Sequence, residues 1–420
     1  MAKLGPLWTT ILLVSAIGTA QARPVEISGG LESRFSDNVR QSHRSPKSDL
    51  ENRVNVQVSH QADPGRCNSS LAARLGWGHW LDSSYDPELY TNISFLGDCQ
   101  LTQRLYWDLS NDTRDVVQDS RGGDNPDNST RKNVFRTGPR YQVQLSPIDL
   151  LTLSAQFENT EFDDPAERDS NRVIGSAGWN HLFTESFSGG IRLSMSKAEL
   201  DSGEEIDKST ASLTFNKQWA ATSLSGSVGA SKIETEFRSN TSSSDALVGD
   251  LMLNRDINAS TSIYLQASRQ LTDRSSDFDI IFQGFVFSFR QSNAVEVTSI
   301  RSGLNKIFSN GSVLTVSPFA DRSDYLGTNE QDDAVGISAR YSRPVNQWLT
   351  AYLSGQYVAR SYASDDTDDR IASINAGLGY ELTRKASLRA SIGRTQKSSD
   401  VASREYNENT VVVGISYKFR

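Results

Sequence analysis

From Val25 onward the chain repeats one unit: an alternating apolar and polar run, a short turn, a second alternating run, and a polar connection. Tyr141, Val143 and Leu145 share one side while Arg140, Gln142 and Gln144 share the other. After Ser146 to Asp149, Leu151, Leu153, Ala155 and Phe157 alternate with Thr152, Ser154, Gln156 and Glu158. Ala372, Ile374, Ala376, Leu378, Tyr380 and Leu382 alternate in the same way, and Leu388, Ala390 and Ile392 follow after Thr383 to Lys385. A period of two is the period of a β-strand, and paired runs of this kind are hairpins. The clearest run is the last, Thr410 to Arg420. There Val411, Val413, Ile415, Tyr417 and Phe419 face one way and Val412, Gly414, Ser416 and Lys418 the other. One face suits lipid and the other water, as a membrane-spanning strand of about 9–11 residues requires. Counting such runs predicts an all-β protein, a transmembrane antiparallel meander β-barrel of about 20 strands, within a range of 16 to 20.

The connections fall into two kinds. Tight ones run Asp63 to Asn68, Leu96 to Asp98, Ser146 to Asp149, Thr184 to Ser186, Asn258 to Ser260, Ser309 to Gly311, Pro344 to Gln347 and Thr383 to Lys385. Between them lie longer, acidic ones, such as Asp37 to Asp49, Asp112 to Lys132, Arg238 to Asp245 and Ala363 to Asp369. Outer-membrane barrels have short periplasmic turns and long outer loops, so this alternation predicts an outer-membrane protein with both chain ends in the periplasm. The stretch Asp273 to Asn293 fits neither kind, and reads as a hairpin extended above the membrane or as a loop folded inward.

Composition removes the competing classes. The 420 residues are 36% hydrophobic and 22% charged with net charge −8, and beyond the N-terminus no apolar run approaches the roughly 18 residues of a membrane helix. The Ser, Asn and Asp content suggests disorder, but aromatics recur along the whole chain within alternating runs. The N-terminus carries Lys3, an apolar core from Leu7 to Ile17 and Ala20-Gln21-Ala22. That is the form of a secretory signal peptide over residues 1–22, leaving a barrel over 23–420. The envelope is oxidising. Cys67 and Cys99 each sit at a turn signal, on successive turns of one rim. A disulfide joining neighbouring turns is geometrically reasonable there, with a pair of free thiols as the alternative.

Barrels of 16 or more strands enclose water, so the inward face matters. The polar face carries Arg53, Arg74, Arg140, Arg192, Arg340 and Arg389 beside Glu158, Glu296 and Glu381, a pore lining of mixed charge. The loop from Asp112 to Lys132 is long enough to fold into the pore, with Asp115, Asp119, Asp124 and Arg131 as constriction residues. Chemistry is sparse elsewhere. His43, His60, His79 and His181 share no metal-ligand spacing and form no nucleophile arrangement, and the loop carboxylates lack the ordered spacing of a calcium loop. No catalytic residue, cofactor or metal is expected, and no basic patch argues for nucleic acid.

Two resemblances sharpen the expectation. The C-terminal run, with Tyr417 and Phe419, resembles the signature by which Gram-negative outer-membrane barrels are recognised for insertion, although Arg420 follows the aromatic that normally comes last. Phe35-Ser36-Asp37-Asn38-Val39 resembles the aromatic-(Ser/Thr)-Asp-Asn-Val motif of an outer-membrane β-barrel family associated with exopolysaccharide biosynthesis and export and with exosortase (PEP-CTERM-type) systems. The resemblance implies a non-enzymatic envelope barrel and hands over no functional residues. Its partners would be outer-membrane lipid and lipopolysaccharide, the barrel-assembly machinery, and polysaccharide with its export proteins. The expected function is a porin-like conduit linked to exopolysaccharide export; the alternative is a closed structural or surface-interaction barrel with acidic outer loops.

Overall fold

The computed structural model describes residues 25–420 apart from 64, 239, 277–293, 327 and 329. The signal-peptide stretch and most of Asp273 to Asn293 lie outside the described residues. Twenty strands follow one another. They are β1 (Glu26–Ser36), β2 (Asp49–Gln61), β3 (Cys67–Trp80), β4 (Glu88–Gln100), β5 (Leu105–Val117), β6 (Ser129–Ser146) and β7 (Asp149–Phe162). Next come β8 (Ser170–Thr184), β9 (Phe187–Leu200), β10 (Glu205–Gln218), β11 (Thr222–Phe237), β12 (Asn240–Asn258), β13 (Thr261–Asp273) and β14 (Ala294–Ile307). The last six are β15 (Val313–Tyr325), β16 (Gln331–Pro344), β17 (Leu349–Tyr362), β18 (Thr367–Glu381), β19 (Ala386–Ser399) and β20 (Tyr406–Lys418). Each strand pairs antiparallel with the next, and β1 also pairs with β20, from Ser28↔Lys418 to Ser36↔Thr410. The sheet is closed, so it has no free edge.

Alternation decides which side each residue takes. On β20, Val411, Val413, Ile415 and Tyr417 point outward and are each about half exposed. Carried round the wall through the register, the same parity puts Leu31, Val54, Trp77, Leu153, Ile191, Leu213, Val228, Ile300, Ile337, Leu353, Ile374 and Ile392 outside. An outer apolar band is stable only against lipid, which is why a large barrel can be built from so polar a sequence. The inner face is polar. At places an inward aromatic lies flat over a glycine of the next strand. A Cβ on Gly377 would meet the Tyr352 ring at 2.4 Å, so glycine is what lets that ring lie against the wall.

Three boundaries differ from the sequence expectation, among them the Asp112 to Lys132 loop, whose ends belong to β5 and β6. Leu96 to Asp98 is strand, not turn, and the chain reverses at residues 101–104. Arg238 to Asp245 is not a long loop, because β11 and β12 continue pairing up to Phe237↔Asn240. Polar strand ends that rise beyond the lipid look like loop sequence. The motif Phe35 to Val39 stands at the closing seam. Ser36 donates to Glu408 at 2.7 Å, Asn38 donates to the Asn407 carbonyl at 3.0 Å, and Asp37 accepts from Asn409. These side chains tie the first strand to the last.

Cys67 and Cys99 form a disulfide as direct partners across β3 and β4, with Cα atoms 4.0 Å apart. They sit at strand ends, not within the turns. Closing a loop with a sequence separation of 32 is worth about 3–4 kcal/mol in the chain-entropy account. Replacing both cysteines with serine is expected to lower the urea unfolding midpoint of the detergent-solubilised barrel correspondingly. An unchanged midpoint would show that the lipid-facing ladder already fixes this hairpin.

Candidate functional site

The strands run between two rims, one of tight turns and one where the longer connections emerge. Below the long-connection rim the inward charges are mostly paired, within one strand or with a strand one or two places round the wall. Arg53 meets Glu51 at 2.8 Å and lies 3.7 Å from the Tyr90 ring centroid. Arg140 makes a two-pronged contact with Asp108 at 2.8 and 2.9 Å, with its guanidinium over Tyr106. Arg301 meets Asp321 at 2.9 Å, and Arg389 pairs with Glu32. Opposite charges so close in a partly wet lumen fix the side chains as a charged lattice along the wall.

Of the nine residues expected to line the pore, eight point inward: Arg53, Arg74, Arg140, Arg192, Arg340, Arg389, Glu158 and Glu381. Glu296 does not. It shares the face of Ile300 on β14, whose side chain is outside, and pairs there with Arg269 at 2.6 Å. Its apolar neighbours Val295 and Val297, which alternation would place against lipid, have lumen parity and are fully buried, so the polar residues there take the outer face. The partners Glu51, Asp108, Glu32 and Asp321 were not singled out. Their signal was available, since each has lumen parity on its arginine's own strand, on the next one, or, for Glu32 and Arg389, across β20.

The expected constriction residues divide. Asp115 and Arg131 are not in a loop. They sit on β5 and β6 with outward parity, opposite each other in the ladder, and Arg131 also meets Asp163 at 2.8 Å. β4 and β5 splay above Asn92↔Arg114, and these two side chains occupy the gap: the Thr91 amide donates to Asp115 at 2.9 Å. Asp119 and Asp124 do lie in the connection, which spans only 118–128.

That connection crosses the mouth. Its Asp124 amide donates to Gln41 at 2.7 Å, and its Arg121 donates to Ser364 at 2.5 Å. The Arg121 guanidinium also lies 4.5 Å from the Tyr362 ring centroid and 3.9 Å from Asp365. Lys397, buried in a 2.9 Å pair with Asp369, donates to the Arg121 carbonyl at 2.7 Å. A segment leaving β5 and β6 is thus anchored on β17 to β19, far round the wall. Arg404 donates to Asp365 at 2.6 Å. Burial pushes the Asp365 carboxyl up, but the Arg404 and Thr367 hydrogen bonds and the nearby guanidinium charges outweigh it and hold it below the usual carboxylate range.

A second crossing comes from the other side. The β12–β13 ladder stops at Gly249↔Arg269, and above it the end of β13 leans away from β12. Asp273 accepts from Arg172 of β8 at 2.6 Å, the Ser275 carbonyl accepts from Thr160 of β7 at 2.8 Å, and Lys132 of β6 donates to the Arg274 and Ser276 carbonyls. Arg172 also meets Glu158, 3.1 Å away, which Arg136 grips from β6. Arg274 pairs with Glu167 in the β7–β8 connection, where burial pushes the Glu167 carboxyl up. Beneath this crossing Ala198, Leu200, Ile206, Ile233, Leu271 and Ala294 form a buried apolar cluster. An apolar core inside a polar lumen is what packs the segment down and keeps water out.

The histidines carry no such construction. His181 contacts Asp149 at 2.8 Å and Ser146 donates to the other Asp149 oxygen at 2.5 Å. The carboxylate stands between them, so the imidazole does not face the hydroxyl and cannot act as its base.

The family described as "Putative beta-barrel porin 2" matches residues 333–419, the last five strands. No curated protein matches the chain. Among solved structures, the siderophore receptor PirA from Pseudomonas aeruginosa is 10% identical over 96% of this chain and 81% of its own, with a TM-score of 0.48. The copper transporter OprC is 9% identical over 96% and 81%, with a TM-score of 0.49. The outer membrane protein opdK from Pseudomonas aeruginosa is 11% identical over 94% and 99%, with a TM-score of 0.36. A closed ring of 20 strands, an apolar outer band, a polar lumen and the match over the last five strands make this chain a porin-like outer-membrane β-barrel.

Proposed function

We propose that the protein is a conduit for a hydrophilic, sugar-rich solute across the outer membrane, shut at rest by the two segments that cross its long-connection mouth. The observation that carries this reading is where the aromatics lie. Tyr90, Tyr106, Tyr264, Phe319 and Tyr352 all have lumen parity on strands β4, β5, β13, β15 and β17, while Phe278, Phe282, Phe285, Phe287 and Phe289 of the β13–β14 connection lie outside the described residues. Rings along a polar wall suit the faces of sugars. The finer reading, passage of exopolysaccharide, is supported by the Phe35 to Val39 resemblance. On that reading the tight turns and both chain ends face the periplasm, with the barrel-assembly machinery, lipopolysaccharide and polysaccharide export proteins as partners. Tyr417 and Phe419 would then serve as the insertion signal. The rival reading, a closed structural barrel, draws on the same two crossings and predicts that they never open.

Planar-bilayer recording separates the two. The intact barrel is expected to give small or intermittent steps, and deletion of residues 119–127 to enlarge them several-fold. Absence of conductance in both forms would contradict the conduit and leave the scaffold.

Acidity should act on the two crossings differently. A carboxyl whose folded pKa is depressed, as at Asp365, contributes stability above its ordinary pKa and loses it as pH falls through the folded value. A raised one, as at Glu167, contributes at low pH and loses that contribution as pH rises. Below about pH 4 the 118–128 connection is therefore expected to become protease-sensitive first. Cleavage beginning instead in the β7–β8 connection would contradict this order.

A further inference from the structure

Four inward guanidinium groups have no carboxylate within salt-bridge distance among the described residues: Arg74 on β3, Arg192 on β9, Arg340 on β16, which lies over Tyr352, and Arg360 on β17 near the long-connection rim. They stand apart from Arg53, Arg140, Arg301 and Arg389, each of which is neutralised by a neighbouring acid. Arg74 also differs in its surroundings. It opens into a recess of about 410 Å³ between β1, β2, β3 and β4. Ser28, Gln57, Ser59 and Asn92 face that recess with neutral donors and acceptors, and Ala72, two residues from Arg74 on the same face, leaves the space open. Lys418 and Glu26 also line it at the lower edge, where they neutralise each other at 2.9 Å. Both crossings lie at the opposite rim. The recess therefore belongs to the half of the lumen on the tight-turn side.

A free guanidinium set among amide and hydroxyl groups has a definite complement: one oxyanion for the charge and several hydroxyls for the rest. Resting on the conduit reading above, we propose that the Arg74 recess is a binding subsite for an acidic saccharide unit, a sugar carrying a carboxylate, with Arg74 taking the carboxylate and Gln57, Ser59 and Asn92 the ring hydroxyls. A neutral sugar would leave the guanidinium without its partner. A bare small anion would leave the amides unused.

Calorimetric titration of the full-length, detergent-folded barrel with a short oligogalacturonate, and with a neutral malto-oligosaccharide of equal length, tests the assignment without needing an open channel. Saturable binding of the acidic chain alone is expected. Arg74→Gln should weaken it by about 10- to 100-fold, the worth of one charge-assisted contact, while Arg74→Lys keeps most of it and Arg192→Gln leaves it unchanged. Heat-modifiable migration on gels confirms that each variant is folded. Equal affinity for the neutral chain, no binding at all, or full binding by Arg74→Gln would each overturn the subsite. Conductance with no saccharide binding would sink the subsite alone. Binding without conductance would sink the conduit and keep the site.

Discussion

The constraint on which everything else depends is that a strand in hydrocarbon leaves no backbone group without a partner. A sheet satisfies this only by closing. Here β1 meets β20 over nine register pairs, and the seam is reinforced at its upper end by Ser36, Asn38 and Glu408. Closure with 20 strands then forces a wide interior, and a wide interior must hold either water or protein. This chain does both. The tight-turn half keeps a polar, charge-laced wall, and the long-connection half is crossed by chain.

The two crossings use different physics. The 118–128 connection is held by directed polar contacts, with Arg121 as its anchor on Tyr362, Ser364 and the Lys397 pair. The β13 end is held by a buried apolar cluster together with Arg172, Asp273 and Glu158 in a largely dry setting. Releasing the connection breaks hydrogen bonds and the 3.9 Å Arg121–Asp365 pair, worth at most about 1 kcal/mol, and leaves the buried Lys397–Asp369 pair whole. Lifting the β13 end instead separates Asp273 from Arg172 in a buried group, at roughly 3–5 kcal/mol. The connection is thus the more readily released of the two. It is the natural moving part, and the β13 end the fixed one.

The barrel was legible in the sequence because its signal is periodic. Val411 to Phe419, Ala372 to Leu382 and Leu151 to Phe157 each declare a lipid face by alternation alone, and the pairing of runs supplied the meander. Side-chain direction was legible to the same extent, which is why Arg53 and Arg140 were placed in the lumen. Glu296 was misplaced because the alternation inverts at the upper end of β14: Val295 and Val297 have lumen parity and are fully buried, while Glu296 and Thr298 take the outer face. Asp115 and Arg131 were assigned to a loop because strands rising beyond lipid no longer need apolar residues. Both segments stood out in the sequence as candidates to fold inward, but where each one is anchored could not be read. They depend on contacts such as Lys132 with Arg274 and Arg121 with Ser364, between strands far apart both in sequence and round the ring.

The claim that the mouth is closed by folded chain can be measured directly. Spin labels at Asn125, on the 118–128 connection, and at Asp366, on the β17–β18 connection opposite, report their separation by pulsed electron resonance in a native-like bilayer. A single narrow distribution at short distance is the predicted result. A broad distribution centred on the separation of two loops standing up from opposite sides of the barrel would contradict it.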